Sequence, residues 1–193
     1  MASRTGMTAL AALAAATALA LPAGPAGASP GPGGGPPGAS ADPAVWADLT
    51  RATLASGRYT RESAAVDAGY VPDTYCVSDP TGSGDLGYPH FNHAYDNSLD
   101  PERPTALLYE DDASGRRRLV ALEWVVMDRD GKPETDDDRP SLFGQPFKGP
   151  IPGRFKGQKV HYALHVWLWK PNPAGMFATF NPAVRCRPGT TRP

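Results

Sequence analysis

The chain has 193 residues, a formal net charge of -1, 22 prolines and 21 glycines. A net charge so close to zero argues against a nucleic acid as partner, because binding to phosphates requires a basic face. Proline and glycine are densest in the first forty residues, so composition already separates an N-terminal segment from the rest of the chain.

Residues 1–28 have the pattern of a secretory signal peptide. Arg4 supplies a basic start, residues 8–21 form an apolar run of about fourteen residues, and residues 26–28 read Ala-Gly-Ala, a small-residue cleavage site. The run is shorter than the roughly twenty residues that span a bilayer, and an uncleaved anchor is the alternative interpretation. The sequence therefore predicts a secreted protein, cleaved near Ala28 and free of the membrane afterwards.

Residues 29–41 are rich in glycine and proline and predict a disordered linker. Asp42 and Pro43 then have the character of a helix N-cap and first helical residue. Apolar residues at helical spacing continue to Ser56, which predicts a first helix, and residues 60–69 predict a second short one.

After Gly69 the residues are mostly β-branched and aromatic, with turns between them. Residues 70–77 predict an edge strand, since Pro72 removes a ladder donor. Residues 105–110 and 118–126 predict a hairpin, and residues 160–169 a last strand.

These elements predict an α+β fold, with an antiparallel β-rich core in the form of a sandwich or small barrel and two short N-terminal helices. We expect one globular domain over residues 42–187, which is long enough to bury a core. Residues 188–193 are predicted to be a flexible tail.

The chain contains two cysteines, Cys76 and Cys186. An oxidising compartment favours joining them, and the bond would close a loop of roughly 110 residues, which the chain-entropy model values at about 4–5 kcal/mol. Two free thiols are the alternative.

All four histidines fall into two pairs. His90 and His93 lie in a turn-rich stretch, where two imidazoles can converge on one ion. His161 and His165 lie in the predicted last strand, where four residues at about 3.3 Å each separate them by about 13 Å. Both cannot easily bind one ion, and we favour His165 over His161 because it lies deeper in the strand.

Glu123 is the single charged residue in the apolar segment 119–126. A carboxylate there must be paired, protonated or bound to metal, because an uncompensated buried charge costs several kcal/mol. With His90 and His165, and with His161 or His93 assisting, it makes a ligand set suited to one divalent ion of Zn, Mn, Fe, Cu or Ni.

A salt bridge is an equally good interpretation of Glu123. The candidate partners are Arg154, Arg118 and Lys159. In that case no metal or other cofactor is required.

Trp167 and Trp169 alternate with apolar residues, on the same predicted strand face as His165. They are core residues or, alternatively, an exposed aromatic surface for a glycan or protein. No Gly-x-Ser-x-Gly motif occurs, so whether the protein is an enzyme is left open.

The domain resembles a family of secreted bacterial proteins without an assigned activity. The most specific matching blocks are His-Tyr-Ala-Leu-His-Val-Trp-Leu-Trp at residues 161–169 and Asn-Pro-Ala-Gly-Met-Phe at residues 172–177. The resemblance supports a disulfide, and it draws attention to His90, Glu123, His161 and His165, but it implies no substrate.

A more distant similarity is to cupins, whose sites use three histidines and a glutamate on a small β-barrel. Glu123 follows His93 by about thirty residues, well beyond the cupin spacing, so this remains an analogy.

The sequence supports two hypotheses about function. The first is a divalent-metal site, which in an enzyme would activate water or dioxygen. The second is a non-catalytic extracellular module that binds a small molecule, glycan or protein.

Overall fold

A computed structural model describes residues 42–153 and 157–192. The predicted signal peptide (1–28) and linker (29–41) lie outside the described residues. No helix in the described ranges is both long enough and apolar enough to cross a membrane.

The main helix, α1 (Pro43–Ser56), begins where the sequence predicts. The Asp42 side chain accepts a hydrogen bond from the Ala44 N–H at 2.8 Å, which caps the first turn. Val45, Leu49 and Ala52 form its buried stripe. A 3₁₀ turn over residues 57–60 follows, and then the six-residue helix α2 (Glu62–Asp67).

The rest of the described chain is rich in β-structure. In chain order the strands are β1 (Val71–Pro72), β2 (Cys76–Ser78), β3 (Asp85–Phe91), β4 (Ala106–Asp111), β5 (Arg117–Met127), β6 (Ser141–Leu142), β7 (Gln145–Pro146), β8 (Lys148–Ile151), β9 (His161–Val166) and β10 (Thr191–Arg192).

Eight of these strands form one sheet, which is antiparallel except where β10 pairs with β2. The order is β10-β2-β3-β4-β5-β9-β8, with β1 beside β3, while β6 and β7 pair separately. The predicted hairpin is present as β4 and β5. The finer prediction, a sandwich or small barrel, stays a prediction.

The sheet has two apolar faces. On the helix face, Leu107, Leu122 and Trp124 pack in one cluster with Val45 and Leu49 of α1. On the opposite face, a smaller cluster contains Leu108, Ala121 and Trp167. Strand residues that are directly paired lie on the same face, so the register decides which functional side chains can meet.

Pro89 lies inside β3 without breaking the sheet. On one side it is paired with Leu108 of β4. On the other side β2 pairs with β3 at Gly87, and β1 pairs from His90 onward. The proline therefore lies between two short partner strands, where no ladder N–H is needed.

The predicted disulfide between Cys76 and Cys186 is present, with a Cα–Cα distance of 5.6 Å. Just beyond it, the Cys76 N–H donates to the Thr190 carbonyl at 2.8 Å, and β10 pairs with β2. Within the segment predicted to be a flexible tail (188–193), residues 191–192 form an edge strand, because the crosslink holds this part of the chain beside β2.

Candidate functional site

Glu123 and His165 are direct cross-strand partners on β5 and β9. His165 Nε2 lies 3.3 Å from Glu123 Oε1, and the two side chains are only 5% and 9% exposed. The pair lies on the face opposite the helices, since Glu123 is also registered with Ala106 of the smaller cluster. A carboxylate and an imidazole held together away from water can share a proton or a cation.

The second ring nitrogen of His165, Nδ1, is buried and has no hydrogen-bond partner among the described residues. The interactions of this imidazole are thus concentrated at Nε2, which faces the glutamate. The direction of the ring is fixed by the alternation of β9, whose six residues are all buried.

His161 lies on the same face of β9 as His165, but four residues away. It is registered with Met127, whereas His165 is registered with Glu123. The ring nitrogen Nδ1 of His161 lies 2.9 Å from the Lys159 carbonyl oxygen, which fixes its orientation locally. The predicted separation along a strand therefore holds, and His161 does not join the pair.

His90 is not brought together with Glu123 and His165. It lies within β3 rather than in a turn, and it is registered with Leu107, the neighbour of the residue paired with Glu123. This one-residue offset places His90 on the helix face, so the predicted site containing all three residues is not assembled.

On the helix face, His90 is fully buried and forms a pair of its own. Its Nε2 lies 2.9 Å from Oε1 of Glu62 on α2. Its ring centroid lies 4.4 Å from that of Tyr109. Sequence reasoning missed Glu62, because nothing in the spacing of helix and strand residues indicates which helical carboxylate meets a strand histidine.

His93 is the exposed member of the four histidines. Its side chain is 74% exposed, and Nδ1 lies 3.2 Å from Oδ2 of Asp96 in the same turn. The ring stacks on Phe91 with a centroid distance of 5.5 Å. His93 is therefore a surface turn residue, apart from the buried pair.

Within residues 42–153 and 157–192, no group of three or more His, Cys, Asp or Glu side chains is arranged to hold a metal ion. The structure joins two of the five predicted ligands, Glu123 and His165. Of the competing partners for Glu123, Arg118 is held by Asp112, with Nε 3.0 Å from Oδ2, and Arg154 lies outside the described residues.

The two tryptophans do not form an exposed aromatic face. Trp167 is 3% exposed, and its Nε1–H donates to the Ala178 carbonyl at 2.7 Å. Strand β9 ends at Val166, and Trp169 turns to the helix face, where its Nε1–H donates to Ser56 Oγ at 3.1 Å. Both residues are packing residues with their N–H groups satisfied.

Comparisons with family models, with curated proteins and with solved structures find no match to this chain. The structure itself defines the class: a β-rich, disulfide-bonded domain whose main sheet carries a buried glutamate–histidine pair.

Proposed function

We propose that the protein is exported and binds one divalent metal ion through Glu123 and His165, and that Zn²⁺ is the preferred ion. The observation that carries the proposal is the buried approach of His165 Nε2 to Glu123 Oε1, at 3.3 Å across two neighbouring strands.

The separation of the two atoms is compatible with a shared zinc ion. Two ligands at about 2.0–2.1 Å from one tetrahedral ion lie roughly 3.3 Å apart, whereas cis ligands of an octahedral ion at that distance lie roughly 2.9 Å apart. A hydrogen bond from an imidazolium to a carboxylate would be shorter, at about 2.7–2.9 Å. The 3.3 Å between Nε2 and Oε1 is compatible with the tetrahedral edge, and a slightly long hydrogen bond between the two groups would have a similar length.

Two protein ligands leave two coordination positions for water or a bound molecule. A site with open positions is closer to catalytic zinc sites, which have three protein ligands and one open position, than to structural sites, which four protein ligands close. The chemistry that zinc supplies in such a site is activation of a bound water and polarisation of a carbonyl or phosphoryl oxygen. Glu123 and His165 would hold the ion in place.

Export is supported by two features. Residues 1–28 have the pattern of a cleavable signal peptide, and the disulfide between Cys76 and Cys186 is a bond that persists in oxidising compartments. The proposal therefore places metal binding outside the cytoplasm.

Zinc titration of protein without a histidine tag tests the proposal. Titration calorimetry should give one Zn²⁺ per chain, and bound zinc should raise the melting temperature in thermal unfolding. Glu123→Gln and His165→Gln should each weaken binding by at least tenfold. His93→Asn is the matched control, because it removes an exposed imidazole from a turn away from the pair, and it should bind zinc as the wild type does.

Zinc binding should also weaken as the pH is lowered, because protons compete with a metal ion for imidazole and carboxylate ligands. No stoichiometric zinc in the wild type, or undiminished binding by a folded Glu123→Gln variant, would refute the assignment.

A further inference from the structure

A groove lies between the start of α2 and the hairpin that joins β4 to β5. Its volume is about 440 Å³, within the range of small-molecule sites. The residues that line it are Thr60, Arg61, Glu62, Gly115, Arg116, Arg117 and Arg118. This groove is independent of the zinc proposal, since Glu123 and His165 face the other side of the sheet.

The arginines of the hairpin outnumber the carboxylates that pair with them. Oδ2 of Asp112 lies 3.2 Å from Nε of Arg116 and 3.0 Å from Nε of Arg118, so one carboxylate serves two guanidinium groups. Hydrogen bonds from the Ser114 hydroxyl, the Arg116 backbone N–H and Arg118 lower the pKa of Asp112, which keeps it charged.

The neighbouring carboxylate, Asp111, is shared in the same way. It pairs with Arg117 across the hairpin, and its Oδ2 lies 3.1 Å from Nε of Arg187. Asp111 and Asp112 together thus face four arginines, which leaves an excess of positive charge at this end of the sheet.

Arg61 adds a further cation on the α2 side of the groove. It is exposed and makes no ion pair within the described ranges. Glu62, the carboxylate among the lining residues, is engaged by the buried His90 at 2.9 Å. The groove therefore has positive charge on both sides that its own acidic residues do not neutralise.

Arg117 is held in place for recognition. Its guanidinium carbon lies 3.3 Å from the centroid of the Tyr88 ring, and the side chain is only 20% exposed. A planar guanidinium fixed by stacking loses little entropy when it binds, and its fork of N–H groups matches the oxygens of a phosphate or sulfate.

We propose that this groove binds a small organic molecule bearing a phosphate or sulfate group, with Arg61 and Arg117 as its principal ligands. The groove, at about 440 Å³, has room for an organic part beside the oxyanion. A long polyanion fits less well, because the net charge of the chain is -1 and Asp111 and Asp112 flank the groove.

Calorimetric titration of the intact protein at low salt tests the proposal, with glycerol 2-phosphate, inorganic phosphate and inorganic sulfate as probes. We expect saturable 1:1 binding, tightest for the ester. Arg61→Gln and Arg117→Gln should each weaken it by about tenfold, the usual size for loss of a hydrogen-bonded charge. Arg61 has no ion pair to lose, so Arg61→Gln should fold normally.

Two further variants make the test specific. Glu62→Gln removes negative charge from the groove while keeping an acceptor for His90, so it should tighten binding of the ester by a few fold. Arg129→Gln is the charge-matched control, because Arg129 is 78% exposed and lies beyond the other end of β5, and it should bind normally.

The proposal is overturned if the wild type binds none of the three probes, or if Arg129→Gln weakens binding as much as Arg61→Gln. A Glu62→Gln variant that binds the ester more weakly would also overturn it. Binding of a heparin oligosaccharide in preference to the ester would assign the groove to a polymeric ligand and reject the small molecule.

Discussion

His90 and His165 form two similar pairs on opposite faces of one sheet. Each places Nε2 near a glutamate Oε1, at 2.9 Å from Glu62 and 3.3 Å from Glu123. Each also keeps a buried Nδ1 that has no hydrogen-bond partner among the described residues. Because the sheet backbone lies between them, we expect substitutions in the two pairs to have additive effects on stability.

Asp79 should make the protein sensitive to acid. Hydrogen bonds from the Thr81 hydroxyl, the Thr81 N–H and Ser83 lower the pKa of Asp79 to about 2 from an ordinary value of 3.8. A lowered pKa contributes stability above the unfolded-state pKa, and that contribution is lost as the pH falls through 2. We expect wild type to exceed Asp79→Asn in urea resistance at pH 6, and the difference to vanish near pH 2.

Equal sensitivity of Asp79→Asn and wild type to urea at pH 6 would contradict this account. Asp73→Asn is a suitable control, because the Asp73 carboxylate accepts one backbone hydrogen bond from the described residues, that of Thr74.

Among single residues, the sequence identifies Glu123 as a candidate site residue, because a lone carboxylate among apolar strand residues must have a partner. The spacing along a strand separates His161 from His165, and the deeper position of His165 ranks it first. His90 is misassigned because its face depends on the register through two intervening pairings, β3 with β4 and β4 with β5. A shift of one residue in either pairing reverses the face, and no local pattern determines it.

Strand β3 connects the two halves of the main sheet, and Gly87 is its most constrained position. The residue has φ +94°, and a Cβ there would lie against the Tyr109 carbonyl oxygen of β4, inside van der Waals contact. Any side chain at this position must therefore push β3 and β4 apart or change the backbone conformation of Gly87.

Gly87→Ala is expected to destabilise the protein by roughly 2–5 kcal/mol, from the positive φ and from steric overlap together. Gly82→Ala is the matched control: Gly82 has φ +84°, and no described residue other than its chain neighbours has an atom within 4 Å of the added Cβ, so it should cost about 1–2 kcal/mol. Unfolding in urea measures both, and equal losses would show that the contact with Tyr109 contributes nothing.

Element prediction from sequence succeeds where the pattern is local. The N-cap Asp42 and the apolar residues at helical spacing identify α1, and two apolar, strand-forming runs joined by a short turn identify β4 and β5. The predicted edge strand over residues 70–77 divides into β1 and β2, because each pairs with a different part of β3. Strand β9 ends before the tryptophans because their backbone N–H groups leave the ladder: that of Trp167 donates to the Met176 carbonyl, and that of Trp169 to the Val120 carbonyl.

For the whole molecule, the disulfide is the long-range constraint with the largest expected effect. It joins residues 110 apart, and the chain-entropy model predicts about 4–5 kcal/mol for such a loop. The double variant Cys76→Ala/Cys186→Ala should lose roughly that much free energy of unfolding in urea.

Alanine is chosen because Cys76 is fully buried, and a serine hydroxyl there would add its own cost. Reduced wild-type protein provides the reference and should match the double variant. A loss below about 1 kcal/mol would mean that the unfolded chain is not appreciably restricted by the bond.

The pairing of β10 with β2 means that one edge of β2 stays unpaired during much of the synthesis of the chain. Residues 191–192 cover the outer side of β2, a strand at residues 76–78. More than a hundred residues are synthesised between β2 and β10. Until β10 exists, the backbone N–H and C=O groups on the outer side of β2 can pair with another chain. Premature self-association of nascent chains is the hazard we expect from this arrangement, and pairing of β2 with β10 removes it.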